Sequence, residues 1–140
     1  MPELDYAVLA DRVSTEAGGV AYVMRGGIDT VAAPVVPALQ PVGLLLRIAF
    51  TRAECGRPHR VEVILQGEDG DRLMEASAVV TPEWRDDLPP HWHVGILSAL
   101  NFPIPLPRYG LYSFEVLIND TSHKTIPLRV IEPATPAPGE

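Results

Sequence analysis

A single cysteine, Cys55, stands in the 140 residues, so no intrachain disulfide can form and stability must come from packing. Lysine is as scarce: ten of the eleven cations are arginines and Lys124 is the exception. Eighteen acids outweigh them, which gives a net charge of -7 and a pI near 5.0. A duplex-binding surface needs clustered cations that release counterions from phosphate. The closest cluster, Arg52, Arg57 and Arg60, also holds Glu54 and Glu62, so nucleic acid is not the expected partner. Long apolar runs are missing too. The longest, Pro41 to Leu46, falls far short of the ~20 residues that span a bilayer, so no membrane insertion is expected. Glu3 and Asp5 stand where a signal peptide carries lysine or arginine, and no apolar h-region follows. The expected location is the cytoplasm.

Proline and glycine are plentiful, at 15 and 11. They imply many chain reversals and argue against long helices. A chain of this length forms one domain and can bury roughly 68% of the surface its unfolded form exposes. It needs no metal or disulfide to fold. No internal repeat is visible. From Pro133 to Glu140 there is no large side chain to bury. The expected organisation is a domain over 1–132 followed by a disordered Pro-rich tail over 133–140.

The body alternates with period two. Tyr112, Phe114, Val116 and Ile118 form one face of a strand, Asn119-Asp120-Thr121-Ser122 supplies turn chemistry, and Ile126, Leu128 and Val130 continue on the return strand. Leu44, Leu46, Ile48 and Phe50 face one way. Val61, Val63 and Leu65 do the same before the polar turn Gly67 to Asp71, and Met74, Ala76, Ala78 and Val80 after it. Trp92, Val94, Ile96 and Leu100 share a face with His91, His93 and Gly95 opposite. Near the N-terminus Tyr6, Val8 and Ala10 alternate, a second strand runs about Val20 to Met24, and Gly26-Gly27 breaks it. A helix over Leu4 to Thr15 is the one rival, and it lacks a good cap.

These segments make roughly eight strands at the spacing of a sandwich or barrel. Tyr109-Gly110-Leu111-Tyr112-Ser113-Phe114 places Tyr112 two residues before a core position, just after a glycine turn. That spacing resembles the tyrosine corner of immunoglobulin-like sandwiches, in which the phenol bonds to upstream backbone. The expected fold is all-β: a single immunoglobulin-like β-sandwich, with a jelly roll or other two-sheet sandwich as the alternative.

Three stretches carry a family resemblance: Leu4 to Asp11, Gly26 to Thr30, and Asn101 to Pro105 running on to Tyr112 to Val116. Together they resemble an uncharacterised family of short bacterial proteins, known as a domain of unknown function. The resemblance implies a small β-sandwich and supplies no activity.

Chemistry is thin. His91 and His93 on a strand would point to one side and could share a metal, but two ligands make a weak site and Val94 to Leu100 adds no acid. Cys55 and His59 are too far apart in kind from a triad: no orienting group and no oxyanion motif accompany them. Asp69 and Asp71 around Gly70 suggest part of a calcium loop, yet the twelfth-position glutamate is absent. No Walker loop, dinucleotide fingerprint or nucleophile elbow is present. No cofactor is expected and no catalytic residue can be named.

Apolar residues opposite the core faces remain. Leu45, Leu111, Leu117 and Ile131 are the interface candidates, with Ile64 and Leu97 beside them. On a two-layer sandwich such residues need a cover. The expected function is therefore a non-catalytic interaction or assembly module, with a protein partner or self-association. The alternative is a small-ligand or carbohydrate module stacking on Trp84, Trp92 and Tyr109. A metal-dependent enzyme built on His91 and His93 comes third.

Overall fold

The computed structural model describes residues 1–17 and 19–134. The last six residues of the expected tail lie outside the described residues. Among those described, every regular element but one 3₁₀ turn, Arg52–Glu54, is a strand. The strands are β1 Glu3–Ala10, β2 Arg12–Glu16, β3 Val20–Met24, β4 Thr30–Ala32, β5 Ala38–Phe50, β6 His59–Gly67, β7 Arg72–Val80, β8 Val94–Leu106, β9 Gly110–Ile118 and β10 Thr121–Ile131.

Two sheets share one core. The first is antiparallel, in the order β1-β5-β8, and the second runs β4-β10-β9-β6-β7 with only β4 parallel to its neighbour. Leu44, Leu46, Ile48 and Phe50 from β5 meet Val63, Leu65, Phe114 and Val116 from the second sheet, all 0% exposed. The alternation read from the sequence thus assigns these inward faces directly. The β9–β10 turn is Asn119-Asp120, with φ of 50° and 68°. Both values are positive, which is the two-residue hairpin geometry that asparagine and aspartate tolerate.

The N-terminal quarter departs from a simple sandwich. No helix forms over Leu4 to Thr15: β1 pairs along β5, bends at Asp11 and continues as β2. The β2–β3 hairpin lies across the outer face of the first sheet. Its Val13 packs with Ala10 and Leu45 in a second small core, which Val8, Ala21, Leu97 and Ala99 border. Two residues allow this close approach. A Cβ on Gly43 would come within 2.7 Å of the Val13 amide nitrogen, so only glycine lets the strap's backbone reach the sheet. Asn101 then holds it: its Oδ1 accepts from the Val13 N–H at 2.9 Å and its Nδ2 donates to the Val13 carbonyl at 2.6 Å.

The expected strand from Trp92 is shorter at its start. His91, Trp92 and His93 precede β8 in a loop, and Trp92 is 52% exposed rather than packed inward. Pro89 and Pro90 lead into a turn in which the Trp92 N–H donates to the Pro89 carbonyl at 3.0 Å, and ladder pairing begins at Val94 with Phe50. At the other end, β8 runs on through Pro103 and Pro105. It is an edge strand, where a missing N–H is tolerated.

Candidate functional site

The Cys55–His59 corner is built around the 3₁₀ turn. The Glu54 carboxylate accepts from the Thr51 N–H at 2.8 Å and the Thr51 hydroxyl at 3.0 Å, and it pairs with the Met1 ammonium at 2.8 Å. Burial alone would raise its pKa. The Met1 ammonium and the Thr51 donors outweigh burial, so the net shift is downward. The Cys55 thiol is pushed the other way, up, by burial and then by the Glu54 charge. It donates to the Thr51 carbonyl at 3.4 Å. His59 is buried against Phe50, ring centroids 4.8 Å apart, and both ring nitrogens are occupied: Nε2 lies 2.7 Å from the Glu54 carbonyl and Nδ1 lies 2.9 Å from Asn119 Nδ2. A donor amide on Nδ1 and an acceptor carbonyl on Nε2 define a neutral Nε2–H imidazole. A protonated thiol beside a histidine with no free nitrogen is a structural corner, and it has no activated nucleophile.

The calcium-like tip is likewise filled by the protein's own groups. Arg108 pairs with Asp71 at 3.2 Å and Asp69 at 3.6 Å, and the Glu68 carboxylate accepts the Leu111 N–H at 2.7 Å. Among the described residues, no three His, Cys, Asp or Glu side chains converge in a way that could hold a metal ion. His91 and His93 are exposed on their loop and are not opposed across a strand face.

Tyr112 is 4% exposed, and its phenol donates to the Arg108 carbonyl at 2.5 Å while accepting from the Arg108 N–H at 3.1 Å. That is the upstream backbone contact on which the tyrosine-corner reading rests. The aromatic platform does not assemble. Trp84 sits under the Arg52 guanidinium at 5.3 Å, and the Tyr109 hydroxyl donates to the Ala33 carbonyl at 2.8 Å. Trp92 borders an open cleft.

The four interface candidates lie on two different sheets and do not form one patch. Leu45 is on the first sheet, whereas Leu111, Leu117 and Ile131 are on the second. Leu45 is 3% exposed because the β2–β3 hairpin already covers it, and Leu97 packs in the same small core. Ile64 is also 3% exposed, between Glu75 and Glu115 on the adjacent strands. Leu117 is half-buried, flanked by Glu62 and Ser122, while Leu111 lies beside Arg129. Leu111 and Leu117 each stand opposite a charged residue, Arg129 and Glu62, and scattered exposed apolar residues need no cover.

The exposed apolar strip is elsewhere. On the hairpin's outward face Val20, Tyr22 and Met24 are 47%, 58% and 62% exposed. Across β2 they stand opposite Glu16, Ser14 and Arg12. The sequence reading found β3 and missed β2, so it could not see that the two form a separate ribbon.

A cleft that the sequence reading also missed lies at the other end of the strap, around Arg47. The guanidinium pairs with Asp5 and lies against Gly95, where a Cβ would fall 2.2 Å from an Arg47 nitrogen. The only sequence signal was an arginine at an outward position between Leu45 and Ala49.

A family model described as "Family of unknown function (DUF6941)" matches residues 5–131, from the first strand to the last. The chain belongs to this family. No curated protein matches it. In this DUF6941 member each of the three stretches that carry the resemblance has residues at the strap or its exits, while Tyr112 to Val116 lies in β9 of the second sheet. Leu4 to Asp11 is β1 and the bend into β2. Within Gly26 to Thr30, the Gly27 and Ile28 amides both donate to the Leu9 carbonyl, at 2.7 and 3.1 Å, and the Asp29 carbonyl accepts from Arg129 at 2.8 Å. Asn101 is the strap's lock.

Proposed function

We propose that this DUF6941 domain is a non-catalytic assembly module that associates with a second copy through the β2–β3 hairpin. The observation that carries the reading is the Val20-Tyr22-Met24 strip, raised on a ribbon whose β3 pairs with β2 alone. A two-fold contact of β3 with β3 is self-complementary. It sets Val20 against Met24 of the other copy and Tyr22 against Tyr22. Each outer row of the four-stranded ribbon then reads Glu16, Val20, Met24, Arg12, apolar at the seam and oppositely charged at the rims. The strap's lock on the sheet supports this role, because a pre-ordered surface loses less entropy on binding.

Five-residue strands make a small contact, so the association is reversible rather than obligate. Sedimentation velocity across micromolar to submillimolar concentrations tests it. The expected result is a concentration-dependent monomer–dimer equilibrium that Tyr22→Glu abolishes while the spectrum of the folded chain is kept. A parent chain that stays monomeric throughout ends the proposal.

A further inference from the structure

The Arg47 cleft opens beside the turn of the hairpin, where Gly19 lines it, and Val20, Tyr22 and Met24 do not. Two adjoining cavities of about 400 and 260 Å3 share Arg47, Trp92 and His93, and the larger lies in the range that holds a small ligand. One wall is sheet: Arg47 from β5, with Asp5 from β1 and Gly95 from β8. The other is the loop between β7 and β8, and that loop is anchored. The Pro82 carbonyl accepts from the Gly56 N–H at 2.8 Å, Trp84 is held beneath Arg52, and two successive turns close Arg85 to Leu88 and Pro89 to Trp92 at 3.1 and 3.0 Å. The cleft is thus formed before any ligand arrives.

Its lining selects a class of ligand. Asp5 and Glu83 balance Arg47 and Arg85 in formal charge, with His91 and His93 beside them. A phosphate or carboxylate site would carry a cationic excess, and this one does not. Guanidinium, carboxylate and imidazole are planar groups that donate to and accept from hydroxyls. Among them Trp92 turns an indole, 52% exposed, toward solvent. An amphipathic ring surrounded by neutral-sum donors and acceptors matches a ligand with an apolar C–H face and a rim of hydroxyls. We propose that the cleft between Asp5–Arg47 and the His91-Trp92-His93 loop binds a neutral saccharide, stacked on Trp92.

The test is a 15N-resolved NMR titration of the full chain with maltotetraose, cellotetraose, xylotetraose and chitotetraose in turn, each to millimolar concentration. At least one is expected to give saturable shifts confined to residues 5, 19, 47, 49 and 83–97, with the Trp92 indole resonance moving and that of Trp84 still. Trp92→Ala, which removes an exposed ring and so keeps the fold, is expected to reduce those shifts at least tenfold, and Trp92→Phe to restore most of the binding. No saturable shift with any of the four saccharides overturns the proposal. So does an undiminished response in Trp92→Ala, or saturation of the same residues by inorganic phosphate alone.

Discussion

Tyr112 and Glu54 show two ways in which a polar group is accommodated against this core. Tyr112 closes a short loop onto itself through two backbone contacts at Arg108. Tyr112→Phe leaves that N–H and carbonyl without their partner, at a cost of roughly 1–3 kcal/mol. Urea unfolding checks this: the midpoint falls with the slope unchanged, and an unchanged midpoint removes the corner from the stability argument. Glu54 gives a pH prediction. Burial opposes its ionisation, and the Met1 ammonium and Thr51 donors more than reverse that, so the folded pKa lies below the unfolded one. Its contribution to stability is therefore complete above about pH 4.3, the unfolded glutamate value, and is lost as pH falls through the folded pKa. The Glu54→Gln chain is expected to be less stable at pH 7 and to lose less on acidification than the parent. Parallel stability–pH curves would show that the carboxylate contributes no such linkage.

At the scale of elements, the strap decides what the outer face of the first sheet can do. Period-two alternation located its second strand, yet nothing local says that a ribbon will fold back over Leu45. The reason is that Gly43 and Asn101 act across a sequence separation of 88 residues between Asn101 and Val13. Asn101→Ala removes two backbone hydrogen bonds, about 1–3 kcal/mol together. Hydrogen exchange should show the effect as a selective loss of protection at Val13 and its β3 partners, with β6 and β9 unaffected. Uniform loss over the whole chain would mean that the strap and sandwich open as one unit. Gly43→Ala acts on the same element by a different route, since its methyl group meets backbone rather than a flexible side chain.

For the whole molecule, the proposed contact is the hairpin strip of Val20, Tyr22 and Met24. If it pairs, unfolding is linked to association, and the thermal midpoint rises with protein concentration. That rise is expected for the parent and not for Tyr22→Glu. An identical concentration dependence in both chains would place the contact elsewhere. Among the described residues no helix is long and apolar enough to cross a membrane. Cys55, the one cysteine that composition offered, has a raised pKa and a backbone partner.

The amino-acid sequence by itself determined the all-β class and the inward faces of β5, β6, β9 and β10. A strand's burial is written in its own alternation, so Leu44 to Phe50 and Tyr112 to Ile118 could be read without their partners. It also located the turn within Asn119 to Ser122, because residues of suitable backbone tolerance sit between two apolar runs, and the structure narrows it to Asn119-Asp120. Only the tertiary structure decided the rest. Whether Leu45 is an interface or a core residue depends on a ribbon that is distant in sequence though in contact with it. Whether His91 and His93 lie on a strand depends on where pairing with β5 stops. The cleft at Arg47 exists because three strands and a loop converge on it, and no periodicity records which outward residues become neighbours.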